Sequence, residues 1–113
     1  MAFTEITFSQ AVDTTEWSCV TDTAGPDAES TITGWMQGHL NLSDMVADDE
    51  LQITVYEKVV AGEAQLIYFR ANPVGPQSRA FLIPAIYVKN GWDVTTKAIT
   101  GTITVTGSIR VVS

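Results

Sequence analysis

The chain has one cysteine, one histidine and no lysine or arginine in its first fifty residues. Each shortage excludes something. Cys19 has no second thiol to pair with, so neither an internal disulfide nor a cysteine metal pair is available. With no helix start or basic neighbour to activate it, Cys19 reads as an inert core residue made in a reducing compartment. His39 stands alone, which rules out sites built from two or three imidazoles and leaves a Ser-His-Asp triad without a nucleophile motif. No apolar run approaches the roughly 20 residues of a membrane-spanning helix, and Met1–Glu5 shows no basic segment leading into an apolar one, so neither membrane insertion nor a cleaved leader is expected. No glycine-rich phosphate loop is present. The expectation is a protein that is not an enzyme, with no catalytic residue, no metal and no cofactor.

Charge is unevenly written. Residues 1–50 hold ten acidic side chains and no Lys or Arg; residues 51–113 hold three acidic and all six basic ones, and the sum is −7. Such a balance disfavours a nucleic-acid partner. It leaves two arrangements open. Opposite charges can face each other between neighbouring copies, or the two halves can interleave in one fold and average out. The cluster Asp44, Asp48, Asp49 and Glu50 lacks the spacing of a calcium loop and reads as a solvated turn.

What the chain does have is alternation. In 51–58 Leu51, Ile53 and Val55 alternate with Gln52, Thr54 and Tyr56, and a break at Ala61-Gly62-Glu63 leads into a second β-rich run, 65–71. That is the form of an antiparallel hairpin with one buried face, long enough to form the centre of a small domain. Residues 99–111 place Ile99, Gly101, Ile103, Val105, Gly107, Ile109 and Val111 on one parity and hydroxylated residues on the other. This predicts a half-buried strand, whole or broken at Gly101 or Gly107. Residues 29–42 alternate with Gly34 and Gly38 on the apolar parity, which predicts a bulge, a bend or a close backbone approach. Residues 79–89 form a strand interrupted by Pro84, hence an edge, a bulge or a split. Residues 16–23 give one more strand and 3–8 a short first one. Residues 43–49 supply a single helical turn at most. The total is a single all-β domain over 1–113, an antiparallel β-sandwich of seven to eight strands, jelly-roll-like, with 1–10 as a possible N-terminal arm. Leu51, Ile53, Val55, Ile103, Val105 and Ile109 are its expected core.

Trp17, Trp35 and Trp92 could form a sugar-stacking platform; with Phe81 and Tyr87 they serve equally as core residues and interface anchors. The hairpin LQITVYEKVVAGEAQLIYFRA, its Pro–Gly loop, the strand FLIPAIYV and the segment GWDVTTKAITGT resemble a group of small proteins of tailed bacteriophages. These are the jelly-roll capsid decoration, or cement, proteins. The resemblance runs from about Leu42 to Ser113 and does not cover the first forty residues. It implies a structural virion protein made in the host cytoplasm, seated on the outer capsid surface and bridging neighbouring capsomers. The implied partners are the major capsid protein and further copies of the chain, most simply as a trimer. Interface candidates are Trp35, Trp92, Arg70, Arg79, Phe81 and Tyr87, with Arg110 and Lys89 as further cations that could meet a neighbour's acidic half. The alternatives are a tail-fibre or receptor-binding module that takes glycans, and a free carbohydrate-binding domain.

Overall fold

A computed structural model describes residues 3–26 and 28–113. Nine strands follow in chain order: β1 Phe3–Val12, β2 Trp17–Ser18, β3 Thr23–Ala24, β4 Gly34–Asn41, β5 Leu51–Glu57, β6 Leu66–Ala71, β7 Phe81–Val88, β8 Trp92–Ala98 and β9 Ile103–Val112. Among the described residues there is no helix; 43–49 make two tight turns, closed by the Met45 amide on Leu42 and the Asp49 amide on Val46. All pairings are antiparallel and form two sheets, ordered β1-β9-β4-β7 and β3-β2-β8-β5-β6. The count exceeds the expected seven or eight because the strand foreseen over 16–23 splits into β2 and β3 around the turn 19–22. Taking β2 and β3 as one interrupted arm, every connection except the β5–β6 hairpin crosses between sheets, which is the winding of a jelly roll.

The parity of the sequence sets the core. Leu51, Ile53, Val55, Ile103, Val105 and Ile109 are all fully buried between the sheets, joined by Met36, Leu40, Ile83, Val94 and Trp92. Gly34, Gly38 and Gly107 lie in strands, and all three are close-approach positions, a β-carbon on Gly34 standing 2.5 Å from the Val112 carbonyl. A β-carbon on Gly38 would stand 2.5 Å from the Ile83 side chain, and one on Gly107 would stand 2.7 Å from both the His39 carbonyl and the Phe8 ring. β9 therefore runs unbroken through Gly107, and the break falls at Gly101 in the preceding loop. Pro84 lies in edge strand β7, where the register against β4 shifts between Met36 and Gly38. The proline thus sits at an edge and at a bulge together.

Two expectations are corrected. Residues 3–10 are not a free arm: they belong to β1, paired in continuous register with β9 from Phe3 opposite Val112 to Val12 opposite Ile103. Met1 and Ala2, the rest of that expected arm, lie outside the described residues. The β5–β6 hairpin is not central as a unit either, since β5 lies between β8 and β6 but β6 is an edge.

The halves of the chain interleave, β9 lying between β1 and β4. Arg110 Nε stands 3.4 Å from Glu5 Oε2 and Lys58 Nζ 3.0 Å from Glu29 Oε1. Both pairs join the acidic first half to the basic second half within one molecule. Because Ile53 and Ile103 lie in opposite sheets and have no exposed surface, alanine at either should cost about 2–5 kcal/mol in urea unfolding. A loss under about 0.5 kcal/mol at both sites would contradict this packing.

Candidate interaction surface

Strand alternation sends every second side chain of the β1-β9-β4-β7 sheet away from the core. Because cross-strand partners share a face, the register converts directly into rows. Phe3 is opposite Val112, Val112 opposite Trp35, and Trp35 opposite Tyr87, so these four residues form one outward row across all four strands. Trp35 is 57% exposed and Tyr87 49%, although neighbours on either side of each in the chain are buried or half-buried. Their rings meet edge to face, centroids 5.4 Å apart and planes at 75°. Such a pair holds both rings in place without giving them a common flat face.

The next rows are polar. Glu5, Arg110 and Gln37 come second, then Thr7, Ser108, His39 and Leu82. Glu5 accepts from the Ser108 hydroxyl and from Arg110, and the Ser108 bond first, helped by Arg110, holds its carboxyl below the usual range against desolvation. Arg110 Nη1 also lies 3.5 Å from His39 Nε2, a contact that needs an unprotonated Nε2 because guanidinium only donates. Towards the far end the face opens into shallow depressions. One of about 340 Å³ is lined by Asn41, Ser43, Asp44, Thr104 and Thr106. Another reaches Arg79 through Gln77 and Ser78.

The six interface candidates separate. Trp35 and Tyr87 come together on the outer face just described. Arg70 is exposed on the other sheet, its Nε donating to Thr54 Oγ1 at 3.0 Å, and Arg79 lies in the exposed loop before β7. Trp92 is corrected: it has no exposed surface, and its indole N–H donates to the Ile32 carbonyl at 2.9 Å. Phe81 is corrected as well, because it pairs with buried Leu40 and packs half-buried against the core. Arg110, expected to reach a neighbour's acidic half, is held by Glu5 of its own chain. Phe3 and Val112 complete the row but carry no local signal, since their place depends on the β1–β9 register.

On the opposite sheet the outer side of β8 is covered. Asp93 has no exposed surface; its Oδ1 accepts from Ser18 Oγ at 2.7 Å and from the Val94 amide at 2.8 Å, and its Oδ2 from the Ala28 amide at 3.2 Å. Beside it Glu16 accepts from the Tyr56 and Thr95 hydroxyls. Burial, then the bond to Glu16, pushes the Tyr56 phenol up. Cys19 is buried nearby, and burial pushes its thiol far above the ordinary value. Three of the cluster's carboxylates bond within the fold: Asp44 accepts from the Thr104 amide of β9, Asp49 from the Val46 amide and Glu50 from the Asn72 side chain. Among the described residues, no group of three or more His, Cys, Asp or Glu is arranged to hold a metal ion. Comparison of the chain with protein-family models, with curated proteins and with solved structures finds no match.

Proposed function

We propose that this chain is a structural virion protein, a decoration module that binds the outer surface of a tailed-phage head and reinforces the contact between neighbouring capsomers. The observation that carries the reading is the outward row Phe3–Val112–Trp35–Tyr87. It is an apolar and aromatic line across one end of the four-stranded sheet, bordered by the Glu5–Arg110 pair. Aromatic anchors rimmed by polar groups suit a protein partner. A jelly roll with tightly packed strands suits a clamp, because it transmits force without deforming. The 75° between the Trp35 and Tyr87 rings disfavours stacking of successive sugar faces, which needs rings that present a common plane.

The test is a cryo-electron map of assembled heads, with the chain and with its Trp35→Ala/Tyr87→Ala variant. Density on the outer shell with this face turned inward is expected, with occupancy at limiting protein reduced by roughly tenfold or more in the variant. Density inside the shell or only at the tail tip would overturn the proposal. So would bare heads together with glycan binding.

A further inference from the structure

A sheet edge is a row of unsatisfied donors and acceptors, and folded proteins blunt such edges with proline, bulges, charge or shortness. Three of the four edges here are blunted. β7 carries Pro84 and a register shift, β3 is two residues long, and β1 turns Glu5, Thr7 and Ser9 outward. β6 is the exception. Its sequence LIYFRA has no proline and one charge, Arg70, and although it bulges at Tyr68 as β7 does beside Pro84, it has no proline to remove a donor from the edge. Leu66 is 57% exposed and Ile67 50%, Tyr68 is exposed too, and Val59 and Val60 of the preceding turn extend the apolar surface. Among the described residues no loop bonds to its free side through the backbone.

We infer that β6 pairs antiparallel with β6 of a second copy of this chain, joining the two five-stranded sheets into one across a two-fold axis. Charge selects both the occupant and the direction. The connections at the Ala71 end of the sandwich, 13–16, 42–50, 72–80 and 99–102, contain Asp13, Glu16, Asp44, Asp48, Asp49 and Glu50 against the single cation Arg79. Among the described residues the connections at the Leu66 end, 19–22, 28–33, 58–65 and 89–91, hold Lys58 and Lys89 against Asp22, Glu29 and Glu63, a far smaller acidic excess. Antiparallel pairing sets the two acidic ends at opposite extremes of the dimer and lays the Arg70 end of one strand beside the Glu63 end of its mate. Parallel pairing would bring both acidic ends, and both Arg70 side chains, together. A two-fold contact is also self-complementary, so one apolar edge suffices for both partners. This pair stands in place of the trimer that the phage resemblance implies, and it needs no capsid.

Sedimentation equilibrium of the purified chain, with amide hydrogen exchange at low and high concentration, tests it. A two-chain species is expected, with exchange at residues 66–71 slowing as the dimer fills. Ile67→Lys should weaken association by roughly tenfold or more, while leaving exchange in β5 and β8 unchanged. If that variant does not fold, the concentration dependence of exchange in the unaltered chain decides alone. A monomer at every concentration, a trimer, or a dimer whose 66–71 amides exchange as fast as in dilute solution would overturn the pairing.

Discussion

Trp92→Ala should destabilise the protein by about 3–5 kcal/mol, the range for removing a fully buried large aromatic side chain. Trp92 has no exposed surface and begins β8 beside Glu57 of β5. The side chain does more than fill space. Its indole N–H satisfies the Ile32 carbonyl, while its backbone N–H and C=O both pair with Ser30. The segment that leads into β4 is therefore held to β8 at one residue. Alanine would leave a cavity and an orphaned carbonyl in the same place. Phenylalanine should recover most of the packing but not the hydrogen bond, leaving a loss of about 1–2 kcal/mol. Urea unfolding of the two variants separates these effects. A loss below about 1 kcal/mol for alanine would mean that the site collapses without cost, contrary to the packing described.

Asp93→Ala should be nearly as damaging, for a different reason. Asp93 follows Trp92 on the opposite face of β8, and its carboxylate accepts from a hydroxyl and two backbone amides. Ser18 is as buried as Asp93 itself. Removing the acceptor leaves those donors without a charge partner, and the expected cost is about 3–5 kcal/mol. Asn keeps the shape and one acceptor oxygen but turns an NH₂ towards one of the donors, so Asp93→Asn should fall between alanine and the unaltered chain. Urea unfolding with limited proteolysis is the measurement, and cleavage should rise first in 19–26, the arm that this carboxylate holds down. Equal stability of all three proteins would rule out the network as a source of stability.

The core was legible because period two is a local property. Ile103, Val105 and Ile109, like Leu51, Ile53 and Val55, announce their face through their immediate neighbours. Gly38 and Pro84 mark an irregular ladder for the same reason, a bulge being one of the forms each allows, because each acts on its own backbone. What was not legible depends on partners far along the chain. Trp35 and Trp92 look alike in sequence, and only the sheet assembly decides that one faces solvent and the other the core. Asp93 reads as the second residue of an ordinary strand. Nothing near it shows that Ser18 of β2 and the Ala28 amide close over it. Phe3 appears as the start of a weak arm until β9 is laid beside it. The apolar run of β6 reads as half of a central hairpin, yet its place at the edge follows from there being no further strand beside it among the described residues.

The place of β9 also dictates an order of events. It is the last strand of the sandwich in chain order, and it lies in the middle of its sheet, hydrogen-bonded to β1 on one side and β4 on the other. During synthesis β1 and β4 therefore emerge with the space between them empty, while β5, β6 and β8 can pair without it. One sheet can form early on the ribosome; the other waits for Ile103–Val112 to insert between two strands already made. Closing loops of that length is slow, which places folding of such a sandwich in the millisecond-to-second range. Until β9 arrives, both β1 and β4 present bare edges, so the nascent chain is most open to mispairing just before Ile103–Val112 is made.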